Sequence, residues 1–251
     1  MVKWVLLALL AGVTTAYGTK IGSRIIDGAF TPISAAPFMA SLRSFSTNVH
    51  FCGGAIISTR FILTAAQCTN GRANNDISVV VGSPLRNSGG SAHRSINIIG
   101  HPFFDHATLE NDIALVQTAT VILLTENVQT AGLYPNFTTD YLNDTKIFGW
   151  GLMSRQNPFD PIDLHSKTTK TIPNRECRLL NAGNAWRITE NKLCTEVDLR
   201  SNCYGDEGGA LVTNKLEIIG IASWHSNCNG SLPDVYERLE PYRLWILSHV
   251  Q

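Results

Sequence analysis

The stretch that most narrows the folds open to this chain is Cys203-Tyr204-Gly205-Asp206-Glu207-Gly208-Gly209-Ala210-Leu211. Glycine reaches backbone conformations closed to other residues, so such a loop can turn sharply. The cysteine that opens it is one of six in the chain. The N-terminus supplies their context. Lys3 precedes an apolar run over residues 5–13, and the small residues of Thr14-Thr15-Ala16-Tyr17-Gly18 allow cleavage after Ala16 or Gly18. As a membrane anchor the run is too short to cross a bilayer. Residues 1–18 are therefore expected to be a secretory signal, and the protein to be extracellular. In that oxidising compartment the six cysteines read as three disulfides, although the sequence alone admits many pairings. Metal binding is the competing reading. With no CxxC pair and no His-x-x-x-His cluster, no metal and no cofactor is expected.

A chain of 251 residues fits one large all-β domain or two small ones, and 44% hydrophobic against 16% charged residues suits a sizeable core. Lys and Arg total 20, matched by 20 Asp and Glu, which argues against nucleic acid or an anionic membrane as the main partner. Residues 51–57 form an apolar, glycine-bearing, β-branched run, and strand-like runs recur at 77–81, 95–99 and 216–224 between Gly, Ser and Asn turns. Glu240-Pro241 precedes Tyr242, Trp245, Ile246 and His249, a helix start followed by an apolar stripe. Asn136, Asn143 and Asn229 open sequons and are candidate glycan sites.

Five segments resemble motifs of the trypsin/chymotrypsin family, in that family's order. Arg24 followed by Ile25-Ile26-Asp27-Gly28 is similar to its activation junction. Phe61-Ile62-Leu63-Thr64-Ala65-Ala66-Gln67-Cys68 resembles the segment that carries the general base. Asn111-Asp112-Ile113-Ala114-Leu115 resembles the segment of the orienting carboxylate, and Gly149-Trp150-Gly151 a marker of the second half. The 203–211 loop resembles the nucleophile loop. The pattern is nearest to arthropod chymotrypsin- and collagenase-like members. The resemblance implies two packed antiparallel six-stranded β-barrels with a C-terminal α-helix and a cleft between the barrels. It also implies a propeptide over 19–24, a domain over 25–251 divided near 125/126, and disulfides 52–68, 177–194 and 203–228. Cutting after Arg24 would free the Ile25 amine to pair with a buried Asp206.

The positions that carry chemistry depart from the pattern. Glu207 stands where the family has its serine and Gln67 where it has its histidine, while Asp112 is kept. A glutamine cannot take a proton at neutral pH. The oxyanion donors would be the N–H groups of Gly205 and Glu207, and the Glu207 carboxylate could fold onto them. Ser201 takes the place at the base of the specificity pocket and Asp234 its opposite wall. Ser223-Trp224 keeps the strand that pairs with substrate backbone. His225, in place of glycine, would cross the pocket mouth or pair with Asp234. The expectation is a secreted, monomeric homologue that is not an enzyme. It would act by binding a protease, an inhibitor or a host protein, as decoy, inhibitor or cascade cofactor. The alternatives are an active serine endopeptidase and a new Glu207/Asp112 acid–base pair of the kind glycosidases use.

Overall fold

The computed structural model describes residues 29–135, 141–151, 162–197, 202–225, 228 and 230–250. The expected signal, the propeptide, Arg24, Ile25, Asn136, Ser201 and Asn229 lie outside the described residues.

Fifteen strands run in chain order as β1 (Ala29–Phe30), β2 (Met39–Ser44), β3 (His50–Ile56), β4 (Phe61–Thr64), β5 (Ile77–Val81), β6 (Ser91–Gly100), β7 (Ala114–Thr118), β8 (Gly132–Leu133), β9 (Thr145–Gly149), β10 (His165–Thr169), β11 (Thr171–Ile172), β12 (Lys192–Thr195), β13 (Ala210–Thr213), β14 (Glu217–Trp224) and β15 (Val235–Arg238). Strands β2 to β7 close into a six-stranded barrel in the order β2-β3-β4-β7-β6-β5. A barrel leaves no unpaired edge, which lets near-continuous apolar runs such as Phe61-Ile62-Leu63-Thr64 be wholly buried.

The second half carries the six strands expected of it, with short additions. Its sheet has nine, in the order β1-β10-β9-β13-β14-β15-β12-β11 with β8 beside β14. The excess is three two-residue strands, β1, β8 and β11, which extend a set of six longer ones. Strands this short carry no two-residue periodicity, so the sequence gives no warning of them. The β8–β14 pairing is parallel; the others are antiparallel.

One hydrophobic core runs through both halves. Phe38, ahead of β2, meets Phe148 of β9 edge to face at 5.7 Å, and both are buried. The chain ends in helix α3 (Arg243–His249), which seats Ile246 in this core. The 3-10 turn before it has proline in its first turn, where the absent N–H costs nothing.

The three disulfides join Cys52–Cys68, Cys177–Cys194 and Cys203–Cys228, as the family pattern implies. Cys203–Cys228 holds the glycine loop to the segment after β14, and Cys52–Cys68 fixes the short helix α1 (Ala66–Thr69) against β3. A further contact sets the glycine loop against the first barrel: Gly53 N–H donates to Glu207 O at 2.8 Å. Within that barrel Thr64 Oγ1 donates to Gly53 O at 2.8 Å and holds β3 to β4 there. Gly208 sits at φ +80°, and a Cβ there would collide with Thr64 Oγ1 and Gly53 O, so only glycine serves.

Candidate active site

The first barrel brings Gln67 and Asp112 together. Asp112 follows β6 and is fully buried. Its Oδ1 accepts Gln67 N–H at 2.8 Å, and its Oδ2 accepts Gln67 Nε2 at 2.8 Å and Ser223 Oγ at 2.7 Å. Burial pushes the Asp112 carboxyl above the ordinary carboxylate range, while the Ser223 and Gln67 donors and the nearby Lys192 charge pull it back. The second N–H of the Gln67 amide goes to Ser223 O. Both amide hydrogens are thus committed to acceptors, and the side chain acts as a two-pronged brace between the barrels.

Beneath Asp112 lies a group of residues not marked by the motifs. Lys192 of β12 and Glu237 of β15 are both fully buried and form an ion pair. Lys192 Nζ also donates to Leu109 O, while Glu237 accepts the Asp112 N–H at 3.0 Å and the Tyr242 hydroxyl at 2.5 Å. Burial raises the Glu237 carboxyl to about 7 against the pull of Lys192 and Tyr242. The pair braces the turn in which Leu109 and Asn111 adopt positive φ, a costly conformation for residues with a Cβ. One signal lay in the sequence. In Lys192-Leu193-Cys194, strand alternation puts Lys192 on the same face as buried Cys194, where a lysine needs a partner.

The second barrel supplies Glu207 and His225. Glu207 Oε2 accepts the Gly205 N–H at 2.7 Å, so the carboxylate folds onto one of the two expected oxyanion donors. Its Oε1 meets His225 Nε2 at 3.2 Å. His225 therefore turns to Glu207 for direct contact, and Asp234 acts on it only as a nearby charge. Asp234 is occupied elsewhere, its Oδ2 accepting Asn202 N–H at 2.8 Å. Burial opposes the imidazolium. The hydrogen bond and charge of Glu207, joined by Asp234 and Asp206, outweigh it and hold the His225 pKa above its ordinary value. Tyr204 stands edge to face against the imidazole at 5.2 Å.

Asp206 is buried and accepts Gly151 N–H at 2.7 Å and Cys203 N–H at 2.9 Å. A side chain on Gly149 or Gly151 would overlap its carboxylate, which accounts for the glycines flanking Trp150. Burial and the neighbouring Glu207 charge raise Asp206 to about 7, against the two N–H donors. Trp224 is partly covered by the Arg187 guanidinium, 5.2 Å from its ring. Phe51, Gln67, Arg72 and Glu207 border a cavity of about 350 Å³ on the first-barrel side. Among the described residues no cluster of His, Cys, Asp and Glu could hold a metal, and no helix is long and apolar enough to cross a membrane.

The two barrels, their terminal helix and this cleft define a protein of the trypsin-like serine-protease class. A sequence profile described as Trypsin matches residues 25–246, and the chain belongs to that family. It is 34% identical over 229 residues to "Trypsin Blo t 3" of Blomia tropicalis, covering 88% of this chain and 84% of the relative. It is 33% identical over 237 residues to "Trypsin, alkaline C" of Manduca sexta, covering 90% and 91%. With "Chymotrypsin-2" of Vespa crabro it shares 31% over 223 residues, covering 88% and 98%. These relatives correct one expectation. The sequence reading took the chain not to be an enzyme, whereas the family and its named trypsins and chymotrypsin point to an enzyme class. That reading rested on two side chains, and the family assignment rests on the whole domain.

Proposed function

We propose that this trypsin-family protein grips extended polypeptide segments in the cleft between its barrels. It is secreted, monomeric, and exposes its binding competence after a cut at Arg24–Ile25. The Ile25 amine then meets Asp206, a buried carboxyl that among the described residues accepts two backbone N–H groups. Its partners are proteins: a protease, an inhibitor or a host protein, engaged as decoy, inhibitor or cascade cofactor. Asn136, Asn143 and Asn229 are its glycan candidates. Asp234, Ser223 and Trp224 supply the pocket wall and strand edge that the segment meets; Ser201, the expected base of that pocket, lies outside the described residues. The observation that carries the reading is the Gly205 N–H, which already holds a carboxylate oxygen at 2.7 Å where a peptide carbonyl would dock.

Hydrolysis of the bound segment is the second reading, favoured by the names of the relatives. The serine–histidine route draws on a hydroxyl and an imidazole, and positions 207 and 67 offer a carboxylate and an amide. Turnover would have to activate water by another pairing, with Glu207 and His225 the adjacent acid and base. One experiment separates the two readings. The cut protein is titrated with a labelled blocked tetrapeptide amide, and product is followed in the same sample. Saturable binding without product supports the first reading, and turnover that is lost in Glu207→Ala supports the second. Neither binding nor product would overturn both.

A further inference from the structure

We infer that Glu207 and His225 form an internal latch that selects what the cleft admits. The carboxylate fills the carbonyl-oxygen site, the imidazole holds it there, and a polypeptide carbonyl enters only when the pair lets go. The inference rests on the polypeptide-binding reading above and adds its control.

Three features point to a latch rather than a chance contact. Glu207 uses both oxygens, one on the Gly205 N–H and one on His225, so it is fixed at two ends. Glu207 reaches solvent, its side chain 19% exposed, while the His225 side chain that holds it is 7% exposed. A contact of that kind breaks without opening the core. Both partners also stand on segments tied by Cys203–Cys228, so the release of one is confined to its side chain.

The charges around His225 set the direction of the pH response. Glu207 and Asp206 face it from the glycine loop and Asp234 from the start of β15, all three favouring the cation. Tyr204 contributes a ring edge, and the Cys228 sulfur lies 3.7 Å from Nδ1. Arg187 lies over the ring of the adjacent Trp224, and Arg72 borders the cavity that Glu207 also lines. Below the raised His225 pKa the pair carries opposite charges and the latch is shut. As pH rises through that pKa the imidazole loses its charge, its hold on Glu207 weakens to a neutral hydrogen bond at most, and the site opens.

The test has two independent readouts on the cut, full-length protein. First, the His225 Cε1 proton is titrated by NMR in the wild type and in Glu207→Gln. The titration midpoint is expected to fall in the variant, because the hydrogen bond and charge of Glu207 hold it up in the wild type. An unchanged midpoint overturns the latch whatever binds. Second, the affinity of a fluorescein-labelled blocked Ala-Ala-Pro-Phe amide is measured from pH 5.5 to 9. Wild-type affinity is expected to rise about tenfold as His225 deprotonates. Glu207→Ala should bind as tightly at pH 5.5 as at pH 9. His225→Gln should also lose the pH response. A response that persists in His225→Gln belongs to Asp206 and overturns the proposal. A midpoint that falls as expected with no peptide bound by any variant leaves the latch standing and overturns the binding reading instead.

Discussion

The two halves of the cleft hold their charges in opposite ways. On the first-barrel side Asp112 is wholly buried, accepts three hydrogen bonds, and rests on the Lys192–Glu237 pair. Every polar group there has a partner, and moving any one strands another. On the second-barrel side Glu207 makes two contacts at the edge of solvent, one of them to a titratable ring. Because burial decides what a lost contact costs, the first half is a fixed brace and the second a movable part. The brace is stable because it is complete; the latch can work because it is not.

The largest effect should come from replacing both family-divergent residues. In cut protein, Gln67→His with Glu207→Ser is expected to raise hydrolysis of a small activated ester roughly 10⁴-fold over the starting protein, because Asp112 is already in place to orient the imidazole. Each single change should fall far short of that, since nucleophile and base act as a unit. A single variant matching the double would show that another group on the movable side already serves as the partner.

Next comes the brace itself. Lys192→Met leaves Glu237 buried without its cation and is expected to cost about 3–5 kcal/mol in urea unfolding. Replacing Lys192 and Glu237 together by Met and Leu should recover much of that loss. A cost below about 1 kcal/mol for the single variant would show that the fixed half is as yielding as the latch.

Asp206 gives a smaller, pH-dependent effect. Its folded pKa of about 7 lies above the ordinary carboxyl value, so the folded state holds the proton more tightly. Its contribution is therefore fully present below about pH 4 and is lost as pH rises through 7. In uncut protein the advantage of pH 5 over pH 8 should be about 2–3 kcal/mol, read as wild type minus Asp206→Asn in urea unfolding. Cutting at Arg24–Ile25 should flatten that difference, because an amine partner favours the charged form. Equal slopes in cut and uncut protein would mean that the junction no longer reaches Asp206. Smallest of all, His225→Gln should change stability by less than about 1 kcal/mol while speeding amide exchange at Gly205.

Much of this was legible in the chain. The motif order carried the two-barrel fold and the disulfides, because most of its segments hold glycines or cysteines whose backbone role tolerates little else, and it singled out Gln67 and Asp112, which are in contact. The Lys192–Glu237 pairing was only half legible, since strand alternation hints that Lys192 points inward and nothing in the sequence names Glu237 as its partner. Glu237 looks like an ordinary charged strand position, and only their opposition across β12 and β15 places both inside. The choice of Glu207 over Asp234 by His225 was hidden for a similar reason, since it depends on Asp234 being engaged by the Asn202 backbone. The short strands β1, β8 and β11 lacked the length for a pattern. The expectation about enzymatic character failed for a different reason: it read the class of the whole domain from two positions.

The buried pair under Asp112 has a bearing on how the chain assembles. Glu237 and Lys192 belong to the second barrel, yet they take up the Asp112 N–H and the Leu109 carbonyl of the first. Until the halves meet, those four groups face water, and at the moment of docking all of them are dehydrated together. Closing the seam is thus a late step that must succeed all at once. Fragments 25–125 and 126–251 made apart should each stay loose at that face, then become ordered together on mixing.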